Sequence, residues 1–355
     1  MKVATIVGAR PQFIKAAPVS KALRKGHHIE VLIHTGQHYD DGLSAIFFEE
    51  LELPVPDYNL GIGSGSHGAQ TGAMLAGVEE VLTQEKPDWV LVYGDTNSTI
   101  AGALAAAKLH QRVAHIEAGL RSFNRAMPEE INRVLTDHLS DLLFCPSPTA
   151  VENLAAEGIT GGVHLVGDVM ADVLQQTIER ARESSTILQR LELKEQGYLL
   201  ATIHREENTD DLVHLRDILS AFNQVEETIV FPIHPRTRKA LARLNGSVTL
   251  TAKLRLIDPV GYLDLVRLAQ SARLILTDSG GLQKEAYWLG VPCVTLRDET
   301  EWVETVGAGW NILTGARTEA IVDAVSSFRP AMTRPALYGN GKSAARISYA
   351  LTMTK

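Results

Sequence analysis

Residues 274–289, LILTDSGGLQKEAYWL, combine an apolar strand-like run, a turn of small residues and the beginning of a helix. Gly280 and Gly281 leave the backbone N–H groups at the helix start open to a ligand, and the helix dipole favours negative charge there. Ser279 adds a hydroxyl donor. The stretch alone is equally compatible with a phosphate site and with an ordinary strand-to-helix turn capped by Asp278 or Ser279.

Short β-branched runs alternate with amphipathic segments on both sides of this stretch. The alternation predicts parallel sheets with helices on both faces. Strands are expected at residues 3–7, 29–33, 89–92, 113–116, 142–144 and 163–166, and again at 198–203, 229–233, 274–276 and 293–296. One charged helix is expected from about Val169 to Arg190.

The series of strands restarts after Gly167. We therefore expect an α/β protein with two doubly wound Rossmann-like domains that face a cleft, residues 1–167 and 168–338. A C-terminal helix, 339–355, is expected to pack back on the first domain. Ligands in such folds bind outside the carboxyl ends of the strands, so polar residues that follow the strands are candidate site residues.

Composition limits the class of protein. With 355 residues, 45% of them hydrophobic and 21% charged, the chain can bury a large core. The net charge of −8 argues against a nucleic-acid partner but permits a local basic pocket. No segment reads as a membrane span or a signal peptide, which predicts a cytoplasmic protein without a membrane partner. Cys145 and Cys293 lie in or beside apolar runs and are expected to be buried, reduced thiols.

Two cations follow the first strand. Arg10 and Lys15 occupy the turn and the helix start, where positive charge opposes the helix dipole, so an anion is expected to join them. A solvated Arg10 before Pro11 is the simpler alternative. The glycine spacing of a dinucleotide fingerprint is not met, so no nicotinamide or flavin cofactor is expected.

Carboxylates follow later strands of the first half. Asp95 can also be explained as a helix cap, whereas Glu117, between an apolar strand and a glycine turn, has a weaker structural explanation. After Pro128, one of Glu129 and Glu130 is expected to compensate a helix dipole, which leaves the other for chemistry.

Two histidine–arginine clusters follow strands of the second half, one beginning at His204 and one containing His234 and Arg236. A single histidine is most often structural, but two such clusters at strand ends indicate a site. First-domain carboxylates facing second-domain cations would suit an anionic leaving group on one side and proton transfer on the other.

Six motifs together resemble the non-hydrolysing UDP-N-acetylglucosamine 2-epimerases. They are Gly8-Ala9-Arg10-Pro11, Gly36-Gln37-His38-Tyr39, Gly94-Asp95-Thr96-Asn97, Glu117-Ala118-Gly119-Leu120-Arg121, Pro128-Glu129-Glu130-Ile131-Asn132-Arg133 and Thr277-Asp278-Ser279-Gly280-Gly281. The resemblance extends from Lys2 to about Leu313, with ordered motifs in both halves.

This resemblance implies a glycosyltransferase-B-like fold, a homodimer without metal or nicotinamide, and a role in making cell-surface polysaccharide precursors. The implied reaction inverts C2 of a UDP-linked 2-acetamido sugar, by elimination of UDP to a 2-acetamidoglucal and re-addition. The implied acid/base residues are Asp95, Glu117, Glu129 and His204. The implied UDP-binding residues are Arg10, Lys15, His204, Arg236, Ser279, Gly280, Gly281, Glu285 and Arg297.

Other functions of the same fold remain possible at this point. A glycosyltransferase would share the nucleotide cradle but has no need of the carboxylates at Asp95, Glu117 and Glu129. A non-catalytic sugar-nucleotide sensor would tolerate their loss.

Two departures from the commoner family pattern bear on ligands. Tyr39 and Glu206 stand where many bacterial members have arginines and bind a second sugar nucleotide as activator, so no such activation is expected. Trp302 and Val303 stand where arginine and proline are usual, as in the branch acting on UDP-2,3-diacetamido-2,3-dideoxyglucuronic acid. That sugar is therefore the alternative substrate.

Overall fold

The computed structural model describes residues 1–37, 53–244 and 249–354, which form two compact units. One unit comprises Met1–Val173 and the residues from Tyr338 onward, and the other comprises Leu174–Leu337. The chain passes into the second unit after Val173 rather than after Gly167, because Asp172 accepts hydrogen bonds of 3.0 Å from the backbone N–H groups of Ser343 and Ala344 in the terminal segment.

The described part of the first unit is a parallel sheet with helices on both faces. The strands lie in the order β3-β2-β1-β4-β5-β6-β7. They are β1 Lys2–Val7, β2 Ile29–His34, β3 Tyr58–Asn59, β4 Trp89–Tyr93, β5 Val113–Ile116, β6 Leu142–Cys145 and β7 Val163–Leu165. The helices are α1 Arg10–Lys25, α2 His67–Glu85, α3 Asn97–Lys108, α4 Pro128–Leu139 and α5 Pro148–Ala156. Strand order reverses at the β1/β4 pair, where open α/β sheets bind ligands.

The pattern of β1 explains both hydrophobic layers of this unit. Successive side chains of a strand point to opposite faces. Val3 and Val7 therefore join the core that contains α1 residues, and Ala4 and Ile6 join the core that contains α2 and α3 residues. A strand buried on both faces reads as the continuous apolar run that the sequence shows.

The second unit repeats this architecture in its described residues. The strands lie in the order β10-β9-β8-β11-β12-β13, all parallel. They are β8 Leu199–Thr202, β9 Ile229–Pro232, β10 Leu254–Ile257, β11 Leu274–Thr277, β12 Cys293–Thr295 and β13 Asn311–Leu313. Helix α6, Val169–Ser184, begins in the first unit and continues into the second. The remaining helices are α7 Ile187–Arg190, α8 Glu206–Thr209, α9 Leu212–Gln224, α10 Pro235–Arg243, α11 Tyr262–Ser271, α12 Gly280–Leu289, α13 Val303–Gly307, α14 Thr318–Ser327 and, in the first unit, α15 Ser343–Met353. The expected doubly wound, glycosyltransferase-B-like fold class is confirmed.

The single helix expected from Val169 to Arg190 is instead two helices, α6 and α7. The break falls at hydroxyl side chains that bond elsewhere, since Ser184 Oγ donates to the Arg180 carbonyl at 2.6 Å and Ser185 Oγ donates to Asp264 at 2.5 Å. Such side-chain bonds compete with the helical backbone pattern.

Both cysteines are buried and unpaired with each other. Burial raises the pKa of the Cys145 thiol to about 12 and that of the Cys293 thiol to about 12. Reactive thiolates are therefore disfavoured at both positions. Across residues 1–37, 53–244 and 249–354, no helix is long and apolar enough to cross a membrane.

Candidate active site

The turns after β4 and β5 bring Asp95 and Glu117 together in the first unit. Tyr93 and Ile116 are register partners at the ends of these strands, and the Gly94 N–H donates to the Ile116 carbonyl at 2.9 Å. A Cβ at Gly94 would lie 3.2 Å from Glu117 Oε2 and 3.5 Å from Lys15 Nζ. A glycine with φ of +64° therefore lets the backbone pass close to these charged groups.

Lys15 interacts electrostatically with both carboxylates. Its ammonium group forms an ion pair with Glu117, and the two side chains are only 15% and 10% exposed. Burial would lower the pKa of Lys15, but the charge and hydrogen bond of Glu117, together with the charge of Asp95, outweigh it and raise that pKa. Lys15 thus stays a cation in a largely enclosed position.

Asp95 holds a proton more readily than an ordinary aspartate. Burial raises the pKa of its carboxyl and the charge of Glu117 adds to the effect, while Arg133 and Lys15 oppose it without reversing it. Desolvation combined with a neighbouring carboxylate is the usual way in which proteins prepare a carboxyl group as an acid.

Glu117 has a strained backbone. Its φ is +75°, in the left-handed region that side-chain-bearing residues rarely adopt, and its N–H donates to the Phe144 carbonyl at 3.1 Å. Such a conformation costs about 1–3 kcal/mol and is concentrated at functional sites. The strain supports a specific placement of this carboxylate, and the one-dimensional sequence gives no sign of it.

The two neighbouring glutamates of α4 have different environments. Glu130 is buried, and its carboxylate accepts hydrogen bonds of 2.9 Å from the N–H and Oγ of Ser122 and from the N–H of Phe123. Glu129 is exposed. Of the two, Glu130 is therefore the glutamate whose carboxylate is held by hydrogen bonds within the protein.

Helix α4 also contacts the Asp95 turn. Arg133 forms an ion pair with the Asp95 carboxylate, and Asn132 Nδ2 donates to the Asp95 carbonyl at 2.9 Å. Glu129 precedes these residues by three and four positions, so it lies on the same face of the helix. The sequence motif contains Asn132 and Arg133, but only the fold shows that they hold Asp95.

Two residues of the sequence-based site have no described side-chain environment. Arg10 is the first residue of α1, and its side chain is outside the described part of the structure. Tyr39 lies outside the described residues.

In the second unit, Ser279 is the N-cap of α12. Its Oγ accepts from the Leu282 N–H at 3.4 Å, and its own N–H donates to Thr277 Oγ1 at 2.9 Å. Gly280 and Gly281 are the first helical residues, whose N–H groups have no acceptor within the helix. The cap and the anion cradle are therefore compatible, because capping uses an oxygen and leaves the glycine N–H groups.

Asp278 anchors the His204 turn rather than α12. Its buried carboxylate accepts from the backbone N–H groups of His204 and Arg205 at 3.0 Å each and from Asn208 Nδ2 at 3.2 Å. Burial would raise its pKa, but the hydrogen bond and charge of His204 and these N–H bonds outweigh it and lower that pKa. A carboxylate thus fixes the strand end that presents His204.

The imidazole of His204 remains accessible. Its side chain is 40% exposed, with Nδ1 3.3 Å from Asp278 Oδ1. The ring centroid lies 5.6 Å from that of His234, so the two histidine clusters expected from the sequence meet at adjacent strand ends. This arrangement leaves Nε2 able to serve as a proton donor or acceptor.

Glu285 lies on α12 within the second unit. It is buried, and its carboxylate accepts from the Tyr262 hydroxyl at 2.8 Å. A carboxylate held in this way still has capacity to accept from sugar hydroxyls.

Arg236 and Arg297 both have acidic partners within the second unit. Arg236 pairs with Glu206 at 2.8 Å and with Asp210 at 3.1 Å. Arg297 is buried and donates to the two oxygens of Glu301 at 3.1 and 3.3 Å. Any anion bound by these arginines would share them with these carboxylates.

Trp302 lies beside the start of α12. A Cβ at Gly280 would lie 3.0 Å from Trp302 Nε1. Lys284 Nζ lies 3.7 Å from the centroid of the Trp302 ring, a cation–π arrangement. The start of α12 is thus flanked by an aromatic ring with a lysine over it.

No group of three or more His, Cys, Asp or Glu side chains suited to a metal ion occurs among the residues whose placement is described.

The sequence model described as UDP-N-acetylglucosamine 2-epimerase matches residues 21–352. A UDP-N-acetylglucosamine 2-epimerase homolog of Methanococcus maripaludis is 58% identical, with 98% of each chain covered. The UDP-2,3-diacetamido-2,3-dideoxy-D-glucuronate 2-epimerase of Pseudomonas aeruginosa is 50% identical, also with 98% of each chain covered.

A solved structure gives the same result. The UDP-GlcNAc 2-epimerase of Methanocaldococcus jannaschii, in complex with UDP-GlcNAc and UDP, has a TM-score of 0.87 at 46% identity, with 99% of each chain covered. The chain belongs to the UDP-N-acetylglucosamine 2-epimerase family and is a UDP-sugar 2-epimerase, an isomerase.

Proposed function

We propose that the protein is a non-hydrolysing UDP-N-acetylglucosamine 2-epimerase that interconverts UDP-GlcNAc and UDP-ManNAc. The observation that carries the proposal is the convergence of Asp95 and Glu117 around Lys15. Inversion at C2 requires one group to remove the C2 proton and another to deliver a proton to the opposite face. Two carboxyl groups in different environments are suited to that division.

In this proposal, elimination breaks the anomeric C–O bond and leaves charge on UDP. Lys15, Arg10 and the N–H groups of Gly280 and Gly281 would stabilise that charge as it develops. Arg236 and Arg297 would supply further cations, each shared with its acidic partners.

The remaining contacts follow from donor and acceptor chemistry. The Ser279 hydroxyl would donate to phosphate, and Glu285 would accept from ribose hydroxyls. Asp95, Glu117, Glu129 and His204 would be the acid/base groups. Burial and the charge of Glu117 raise the pKa of Asp95, which supports its role as a proton carrier.

The proposal also includes a cytoplasmic homodimer that supplies a precursor for cell-surface polysaccharide. Light scattering of the purified protein tests the dimer, and cell fractionation tests the location. Loss of the polysaccharide after deletion of the gene tests the pathway.

A second candidate substrate follows from one relative. The Pseudomonas aeruginosa relative is named a UDP-2,3-diacetamido-2,3-dideoxy-D-glucuronate 2-epimerase. The sequence resemblance likewise associates Trp302 with the branch that acts on that sugar. The two sugars share the 2-acetamido group at the reacting carbon, so the same acid/base groups would serve both.

Incubation of each UDP-sugar in deuterated water distinguishes these possibilities. Proton NMR should show loss of the C2 proton signal of UDP-GlcNAc as deuterium is incorporated, together with formation of the manno epimer. If deuterium enters C2 of the UDP-linked diacetamido-glucuronate only, that sugar is the substrate in place of UDP-GlcNAc. Absence of exchange with both sugars would defeat the proposed function.

A further inference from the structure

His115 lies in β5, two residues before Glu117, and its ring is completely buried. Nε2 lies 2.7 Å from the Gly94 carbonyl oxygen, and Nδ1 lies 2.6 Å from Asp137 Oδ1. A carbonyl oxygen and a carboxylate can only accept hydrogen bonds, so both ring nitrogens must donate. Only the doubly protonated imidazolium ring satisfies both partners.

The charges around the ring are balanced in that form. Asp137 Oδ2 accepts from Arg121 Nη1 at 2.7 Å, and Arg121 donates to both oxygens of Glu157 at 2.7 and 2.8 Å. His115 and Arg121 therefore face two carboxylates. Burial would raise the pKa of Asp137, but His115 and Arg121 outweigh it and lower that pKa, which keeps the carboxylate charged.

His115 and Asp137 together connect two turns of the candidate site. His115 holds the carbonyl of Gly94, which directly precedes Asp95. Asp137 Oδ2 also accepts from the Gly119 N–H at 3.1 Å, at the end of the turn that begins with Glu117. The hydrogen-bonded pair of His115 and Asp137 thus restrains the backbone just before Asp95 and just after Glu117.

We propose that His115 is a positioning residue of the epimerase reaction: held as a doubly protonated ring between the Gly94 carbonyl and Asp137, it fixes the turns that carry Asp95 and Glu117. The inference rests on the acid/base roles proposed above for those carboxylates. His115 itself is fully buried and acts through the turns rather than on the substrate.

The first test measures the ring directly in the unmodified protein. Nitrogen-15 NMR of histidine-labelled protein at pH 7.5 should show both ring nitrogens of His115 protonated, with the resonances assigned by their loss in His115→Gln. A ring with one protonated nitrogen would overturn the inference. Because this measurement needs no substrate, it is independent of whether the proposed reaction occurs.

The second test separates positioning from binding. A glutamine at 115 cannot donate to both acceptors, so His115→Gln should lower kcat by about 100-fold, the loss expected from a misplacement of about 1 Å. The KM for the UDP-sugar and the Kd for UDP should stay within about threefold of the values for the unmodified protein, because ground-state binding is retained.

His164→Gln is the matched control, because His164 lies in strand β7 of the same sheet and packs against Phe144 with ring centroids 5.9 Å apart. It should leave kcat nearly unchanged. A folded His115→Gln protein with unchanged kcat would overturn the inference, as would a rise in KM without a fall in kcat. Inactivity of the unmodified protein on both UDP-sugars would count against the proposed function instead.

Discussion

Lys15 and Glu117 form a largely buried ion pair although 102 positions separate them in the sequence. The pair exists because α1 follows β1, and β1 and β5 both flank β4 in the parallel sheet. The segments that follow these three strands consequently place a cation, Asp95 and Glu117 together at the carboxyl end of the sheet. Substitutions of these residues should affect chemistry more than folding.

Glu117→Gln should retain the fold and lose about 10²- to 10⁴-fold in turnover, the usual contribution of a positioned acid or base. Circular dichroism and the initial rate of deuterium exchange at C2 measure the two effects. Glu152→Gln, on the exposed side of α5, is the matched control and should be near normal. Near-normal exchange by Glu117→Gln would remove Glu117 from the acid/base set.

His204→Ala should likewise fold and lose turnover. The His204 side chain is 40% exposed, and the backbone bonds from this turn to Asp278 do not need the imidazole. His214→Ala, which removes a half-exposed imidazole from α9 of the same unit, is the control. Comparable activity of the two variants would contradict a catalytic role for His204.

Gly280→Ala should weaken UDP binding by about tenfold, equivalent to about 1.4 kcal/mol. The added Cβ would lie 3.0 Å from Trp302 Nε1, whereas a Cβ at Gly281 would have no neighbour closer than 3.8 Å. Gly281→Ala should therefore be milder when UDP affinity is measured by calorimetry. Adding Trp302→Phe, which removes Nε1, should restore part of the affinity lost by Gly280→Ala. Equal losses in both single variants would exclude the steric explanation.

The rate should depend hyperbolically on UDP-GlcNAc concentration, without activation by a second sugar nucleotide. Glu206 carries negative charge, which disfavours a second anionic ligand beside it, and it is paired with Arg236 at 2.8 Å. Progress curves that start from UDP-ManNAc should show no lag. A lag that a trace of UDP-GlcNAc abolishes would contradict this prediction.

Glu30→Gln should increase thermal stability at pH 8. Burial raises the pKa of Glu30, against the opposing hydrogen bonds from Ser20 and Thr5. A raised carboxyl pKa means that ionisation costs folding free energy above the folded-state pKa, and this cost disappears as the pH falls toward the ordinary value of 4.5.

Thermal unfolding at pH 8 and pH 5 tests the sign of this effect. The gain should be on the order of 2 °C at pH 8 and smaller at pH 5. Glu80→Gln, on the exposed face of α2, is the control. A gain that grows as the pH falls would contradict the assigned cause.

Central strands of both sheets could be predicted because burial on two faces makes them continuous apolar runs, as in β1 and β11. The strands β3, β10 and β13 escaped prediction for the opposite reason. They lie at sheet edges and are short or partly exposed, so their sequences lack a clear apolar period.

The positions of Asp95, Glu117 and His204 just after the ends of parallel strands could be predicted from the sequence, because an apolar run precedes each of them. The residues that hold these side chains and turns in place could not be predicted. The contact of Arg133 with Asp95 and the two bonds of His115 depend on register and helix packing between distant segments. The choice of Glu130 as the buried glutamate of its pair depends on the path of the backbone at Ser122 and Phe123.

The terminal helix α15 contributes Ala344, Ile347 and Leu351 to the hydrophobic core shared with β1 and α1. The second unit is therefore an insertion within the chain of the first. Domains normally fold during synthesis as their residues leave the ribosome. Here the unit that is begun first is completed last, since its core remains open until the final turns of α15 emerge, by which time all residues of the inserted unit have been made.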